Sequence, residues 1–306
     1  MNLKKLSPSL NKKLVIIDGH AVLHRSYHAL PSLKAPGGRL VNAVYGFFKM
    51  FFNVLENFEP DFLFVAFDTN KPTFRHQKFI GYQAKRAKTD KALIKQIEET
   101  KEIVTLAQIA SGQKIGYEAD DIIGTLVKKM KNKQSIIVVT GDKDLMQLVD
   151  DNVNLFMPKR GFGGGKIVDT AQVKKELGVW PQQVVDYKGL AGDSSDDYPG
   201  VKGVGPVTAV KLLKQFENLA GVYQSLNEIK SESLSEKLEK NKEAALLSYD
   251  LARIRDNVPL KITEEVLAIE KIDFEALKRV FKQLGFRSLL RNLEKENNNQ
   301  QIGFFQ

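Results

Sequence analysis

Leu14-Val15-Ile16-Ile17-Asp18 is a short apolar run closed by a carboxylate, and its pattern recurs. Phe62-Leu63-Phe64-Val65-Ala66-Phe67 runs into Asp68, and Ile136-Ile137-Val138-Val139 is followed by Asp142 and Asp144. Apolar runs of this length read as strands buried on both faces of a parallel sheet. Helical spacing lies between them, in Val44, Phe47, Phe48, Phe51, Phe52 and Leu55, and again in Ile122, Ile123, Leu126, Val127 and Met130. Alternating strands and helices imply an α/β fold, a mainly parallel sheet flanked by helices. Ligand sites of such sheets lie beyond the carboxyl ends of the strands, so three runs aim acids at one edge.

Two further acidic clusters extend the set, Glu118-Ala119-Asp120-Asp121 and Gly192-Asp193-Ser194-Ser195-Asp196-Asp197. Any one of these acids alone reads as a helix cap or a surface charge, and Glu118, Asp120 and Asp121 open a helix whose dipole favours them. That reading does not explain why the other acids also follow strands. Clustered carboxylates repel and raise one another's pKa unless a cation intervenes. Divalent metal with oxygen ligands fits, and the set Asp18, Asp68, Glu118, Asp120, Asp121, Asp142, Asp144, Asp193 and Asp196 is large enough for two Mg²⁺ or Mn²⁺ ions. Two such ions about 4 Å apart activate a water and stabilise the leaving oxygen of an in-line phosphoryl displacement.

The 306 residues leave room for two domains, and the 42% hydrophobic content suits a soluble globular chain. With no cysteine there are neither disulfides nor thiolate metal sites, and four histidines argue against a His-rich centre. No stretch of signal-peptide or membrane-span type occurs, which makes the cytoplasm the default location. A net charge of +9 suits a polyanionic partner such as nucleic acid, although a lysine-rich proteome gives the same balance.

Residues 153–168 read as a β-hairpin around Gly161-Phe162-Gly163-Gly164-Gly165, whose spacing is not that of a P-loop. Beyond residue 169 the pattern is helical. Asp169-Thr170 caps a helix through Leu177 that Gly178 ends, helices follow at Asp186–Leu190 and Pro206–Phe216, and residues 231–243 read as a solvated helix face. A last helix spans 273–292, and 294–301 is a polar, Asn/Gln-rich tail. The expected units are therefore a core over 11–168, a helical domain over 169–293 and a tail over 294–306.

Gly200-Val201-Lys202-Gly203-Val204-Gly205-Pro206 opens a helix with free backbone N–H groups, flanked by Lys202 and Lys211. It suits a DNA-backbone clamp, though an ordinary helix-turn-helix corner looks the same. From Thr69 to Thr89, Lys71, Arg75, Lys78, Lys85, Arg86 and Lys88 occur without one acid, interleaved with Phe74, Phe79 and Tyr82. Basic and aromatic residues together suit single-stranded nucleic acid; a solvated helix with its aromatics in the core is the plainer reading.

Together these residues resemble the 5′-nuclease family, which includes the 5′→3′ exonuclease domain of bacterial DNA polymerase I and its stand-alone relatives. The motifs occur in order from Leu14 to Leu293: Asp18-Gly19, Val65-Ala66-Phe67-Asp68, Phe74-Arg75, Glu118-Ala119-Asp120-Asp121, Thr140-Gly141-Asp142-Lys143-Asp144, Gly192-Asp193-Ser194-Ser195-Asp196, the glycine turn and Phe286-Arg287-Ser288-Leu289. The resemblance implies a resolvase-like (PIN-like) core. It also implies a helix–three-turn–helix DNA clamp over 186–216 that holds K⁺, and a helical arch over about 70–95 that threads a 5′ single strand. One metal ion falls to Asp18, Asp68, Glu118 and Asp120 and the other to Asp142, Asp144, Asp193 and Asp196, with Asp121 supporting either. Arg86 and Lys85 stabilise developing charge. DNA contacts are expected from Arg25, Arg75, Lys78, Tyr82, Lys202, Gly203, Gly205 and Lys211. The implied activity is 5′→3′ exonuclease and 5′-flap endonuclease, acting on flaps and RNA–DNA primer junctions.

Two departures stand out. Family members carry Tyr-Lys-x-x-Arg in the arch, where this chain has Tyr82-Gln83-Ala84-Lys85-Arg86, and His20 takes the place of a small residue after Asp18-Gly19. The chain ends where a polymerase would begin, so it reads as a monomeric, free-standing nuclease beside a separate polymerase. Gln301-Ile302-Gly303-Phe304-Phe305 resembles the peptide by which bacterial replication proteins dock on the sliding clamp, and a match this short also arises by chance. A metal-free DNA-junction binding module and an RNase of the same core fold are the alternatives.

Overall fold

The structure, a computed structural model, describes residues 12–159 and 164–293. Strands β1 (Lys13–Asp18), β2 (Phe62–Ala66), β3 (Ser111–Gly112), β4 (Ser135–Val139), β5 (Val153–Pro158) and β6 (Gly165–Val168) form one sheet in the order β3-β2-β1-β4-β5-β6. All neighbours are parallel except the hairpin pair β5–β6, whose connecting residues 160–163 lie outside the described ones. Register fixes the edge: Ile17 lies between Val65 and Val139, so Asp18, Asp68 and Asp142 all leave the sheet at the same end.

The first segment carries helices α1 (Gly19–Ala29), α2 (Asn42–Phe58), α3 (Phe74–Lys78), α4 (Lys91–Leu106) and α5 (Ala119–Met130). After the hairpin come α6 (Thr170–Leu177), α7 (Val184–Ala191), α8 (Pro206–Phe216), α9 (Leu219–Gln224), α10 (Glu232–Lys240), α11 (Lys242–Ala252), α12 (Glu264–Leu267) and α13 (Phe274–Leu284).

Strand side chains alternate between two cores, as a pleated ribbon requires. Leu14, Ile16, Phe64, Ile136 and Val138 pack with Ile122 and Leu126 of α5 and with Val184, Leu190 and Leu212 of the later helices. Val15, Ile17, Leu63, Val65, Ile137 and Val139 pack with α2 and α13. There Phe47, Phe48, Phe51, Phe52 and Phe281 are fully buried. Phe47–Phe48 and Phe48–Phe281 meet edge to face at 5.2 and 5.1 Å, the arrangement that aromatic quadrupoles favour. The later helices thus complete the core of the sheet, which holds acids from both halves of the chain in one frame.

Local signals mostly act where expected. Asp169 accepts from the Gln172 amide to cap α6, and Gly178 ends it in the left-handed conformation at φ 77°. Gly200 closes the turn after α7 so tightly that a Cβ would lie 2.2 Å from the Gly192 nitrogen.

Two expectations need correction. The expected helix over 273–292 is interrupted: α13 stops at Leu284, because Gly285 turns left-handed at φ 74°, and helical turns resume over 287–293. Nor is the 70–95 segment a helical arch: α3 covers only Phe74–Lys78, and the chain then runs in turns and extended backbone to Asp90, the N-cap of α4. Gln83 takes a left-handed φ of 52°, which a continuing right-handed helix does not allow, and Tyr82 beside it is drawn down into the core.

Candidate active site

The strand ends open into a hollow of about 530 Å³, lined by Asp18, Asp68, Glu118, Asp120, Asp142, Asp144 and Asp196 and by His20, His24, Lys71 and Arg86. Asp18, the N-cap of α1, accepts from the Ala21 amide at 3.0 Å and from Thr140 Oγ1 at 2.8 Å. The Asp142 amide in turn donates to Thr140 Oγ1, and the Asp144 amide donates to Asp142 Oδ1, so one threonine orders the loop after β4 against β1. Asp68 accepts from the Ala119 amide at 2.7 Å. Its own amide donates to His20 Nδ1 at 3.1 Å, which leaves the neutral ring its proton on Nε2. Glu118 caps α5 and receives the hydroxyls of Thr73 and Tyr82.

Electrostatics divide the set. Burial pushes Asp18 up to about 7, with Asp68 and Asp142 adding repulsion. Glu118 is pushed up to about 7, chiefly by burial, against the pull of Arg75. Asp120 is raised by burial and then by Asp142, Asp18 and Asp144, and Asp144 rises to about 6 for the same first reason despite Lys188. Asp196 is also raised, by burial and Asp144. Asp193 goes the other way: burial opposes ionisation, but Lys188 and Ser195 hold it below the usual carboxylate range. Among the described residues no ion pair reaches Asp18, Asp120 or Asp142.

An all-oxygen donor set that lacks counter-charge fits a hard divalent cation. No three acidic or histidine side chains among the described residues close into a finished ligand cage. A prediction follows. Folded, Asp18, Glu118 and Asp144 take up protons at about pH 7, 7 and 6, above their unfolded values. The folded state therefore binds more protons through this window, and stability falls as pH rises across it. In EDTA the melting temperature is expected to be higher at about pH 5.5 than at about pH 8, and Mg²⁺ is expected to narrow the gap. A melting temperature in EDTA that rises with pH would contradict the assignment.

The structure removes three residues from their expected roles. Asp121 is fully buried and accepts from both Arg75 Nη atoms and from the amides of Arg255 and Glu118, which leaves no open coordination position. Arg75 is 3% exposed, donating also to the Leu251 and Arg253 carbonyls, so it is a buried tie between the halves of the chain and not a DNA contact. Tyr82 is 4% exposed and gives its hydroxyl to Glu118 and Asp196, so no face is free for stacking on a base. Lys78 pairs with Asp250 at the surface.

The basic segment is fastened to the 193–197 turn. Gln83 donates to Asp196 through both its backbone amide, at 2.9 Å, and its side-chain amide, at 2.8 Å, while its Oε1 receives Arg86 Nη1 at 3.0 Å. The residue that departs from the family pattern therefore orients Arg86 in the hollow. Lys85 stays at the rim, its amide on Asp197. Arg25 is partly exposed on α1, and Lys202, Gly203, Gly205 and Lys211 are exposed around the start of α8, which Gly205 caps. Sequence reasoning missed Thr73 and Lys188 and took Thr140 only as the first residue of a motif; the threonines are uncharged and Lys188 sits inside a helix, so none reads locally as a group that orders the site.

The chain matches the 5′-3′ exonuclease N-terminal resolvase-like domain over residues 13–178 and the 5′-3′ exonuclease C-terminal SAM fold over 179–275. It is 40% identical to DNA polymerase I of Bacillus subtilis over 94% of this chain and 33% of that protein, and 41% identical to that of Bacillus caldotenax over 93% and 33%. It thus spans about a third of the length of these relatives. Its fold is shared with the bacteriophage T5 D15 protein co-crystallised with metal ions, at TM-score 0.67 and 16% identity over 93% of this chain and 99% of that one. The catalytic core of Rad2 in complex with DNA gives 0.59 and 19% over 94% and 92%. With both domains matched in order and the acids of both gathered at one strand edge, the chain belongs to the 5′-3′ exonuclease family.

Proposed function

We propose that the protein is a divalent-metal-dependent 5′→3′ exonuclease and 5′-flap endonuclease that removes RNA primers and 5′ flaps in replication and repair. The observation that carries this reading is the run of carboxylates at one sheet edge, of which Asp18 and Asp120 are raised in pKa by burial and by neighbouring carboxylates, faced by a basic segment. Family membership supports it, and the relatives named DNA polymerase I and the T5 and Rad2 neighbours point the same way.

Asp18, Asp68, Glu118 and Asp120 would hold one Mg²⁺ or Mn²⁺ ion, and Asp142, Asp144, Asp193 and Asp196 the other. When bound, the ions supply water activation and stabilise the leaving oxygen. Asp121 acts from behind, by fixing Arg75 and the cap of α5. Arg86, held by Gln83, neutralises charge that develops on the phosphate. Backbone N–H groups at Gly203 and Gly205, with Lys202 and Lys211, would take duplex phosphates at the start of α8, where K⁺ would supply further positive charge. Arg25 adds a further phosphate contact.

We extend the reading to partners. The protein acts as a cytoplasmic monomer in concert with a DNA polymerase, and Gln301, Ile302, Phe304 and Phe305 dock on the sliding clamp. These four residues lie outside the described ones. Among the described residues no helix is long and apolar enough to cross a membrane. Clamp binding that survives deletion of 301–306 would sink the docking idea.

The test is cleavage of a 5′-labelled flap duplex with Mg²⁺, Mn²⁺ or EDTA, beside single-stranded and blunt controls. Metal-dependent cutting near the junction is expected. Tight flap binding without cutting in either metal would favour a DNA-junction binding module instead.

A further inference from the structure

Lys188 lies on the inner face of α7 and is 8% exposed. Its Nζ donates to Asp144 Oδ1 and sits 2.6 Å from Asp193 Oδ2. Asp144 belongs to the loop after β4 and Asp193 to the turn after α7, so one ammonium joins acids from both halves of the chain. The other side of the hollow differs: Asp18 and Asp120 have no ion pair among the described residues. A second observation adjoins the first. The hydroxyl of Tyr198 is buried with no hydrogen-bond partner, in a residue 3% exposed whose backbone pairs with Asp193. Tyr198 and Lys188 are close enough to shift each other's ionisation.

A buried ammonium needs its carboxylates, and buried carboxylates need a cation. Lysine is a compact point charge on a flexible stem, so it can leave a site that a guanidinium fork would lock. We propose that Lys188 stands in for a divalent ion at the Asp144–Asp193 side of the hollow: a metal ion enters that side only by displacing the ammonium, which moves to the free acceptor of Tyr198. The Asp18–Asp120 side takes its ion directly. The two sides therefore fill in order, and Lys188 sets the metal concentration at which the second fills. This rests on the proposal that the hollow holds divalent cations.

Mn²⁺ binding to the full chain, followed by calorimetry and by the electron paramagnetic resonance of free Mn²⁺, tests it without reference to cleavage. Wild type is expected to show one stronger and one weaker equivalent. Lys188→Gln keeps a donor and removes the charge, and is expected to tighten the weaker equivalent on the order of tenfold. Tyr198→Phe, which removes the landing position, is expected to weaken it. Should Lys188→Gln melt lower in EDTA, Mn²⁺ is expected to raise its melting temperature by more than it raises that of wild type; a merely structural bridge would give equal gains. Two Mn²⁺ equivalents of unchanged affinity in Lys188→Gln would overturn the role of Lys188 while leaving the nuclease reading intact. No Mn²⁺ uptake by wild type would overturn both.

Discussion

Asp142→Ala is expected to lower the rate of 5′-flap cleavage by a factor of about 10³ or more while flap binding changes little. Asp142 is exposed at the mouth of the hollow, so truncating it leaves no buried orphan. The one hydrogen bond lost is from the Asp144 amide, in a loop still anchored through Thr140. Folding should therefore survive, which makes this variant a cleaner probe than Asp18→Ala. The same loss is expected of Asp68→Ala, at some cost in stability, because its Oδ1 also receives the first amide of α5. DNA affinity should persist in both, since the groups proposed to hold phosphates lie elsewhere, on α8 and the basic segment. The measurement is single-turnover cleavage alongside equilibrium flap binding in Ca²⁺. Turnover of either variant within a few-fold of wild type would refute the metal assignment.

How much of this was legible before the fold was known depends on the range of each signal. The strand runs and the acids after them are local, and period-two burial makes them plain. Caps such as Asp169 and stops such as Gly178 are equally local. What the sequence hid was pairing across distance. Arg75 lies in a block of positive charge and reads as exposed, yet its partners are Asp121, 46 positions on, and carbonyls 176 and 178 positions on. Asp121 reads as a ligand because it adjoins Asp120, but one step along a helix turns it about 100° away, into the core. Tyr82 and Gln83 look like arch residues until Asp196 is brought over from the second half of the chain. Lys188 shows the same limit: nothing in its neighbourhood says that a helical lysine faces inward.

Arg75→Met carries the largest expected effect on stability. The side chain is of similar length and can fill the space, so the change isolates the charge. It leaves Asp121 fully buried with two backbone amides as its only donors, and it strands the carbonyls of Leu251 and Arg253. Breaking one partner of a buried ion pair typically costs about 3–5 kcal/mol. Lysine should rescue little, because a point charge cannot serve both Asp121 oxygens and two carbonyls at once. Denaturant unfolding measures the loss, and the double variant with Asp121→Asn should recover part of it by removing the stranded charge. Flap affinity distinguishes this account from the sequence-based expectation of a DNA contact. At a temperature where the variant stays folded, affinity and its salt dependence should match wild type, since a residue 3% exposed releases no counterions from DNA. A stable variant with a shallower salt dependence would return Arg75 to the DNA interface.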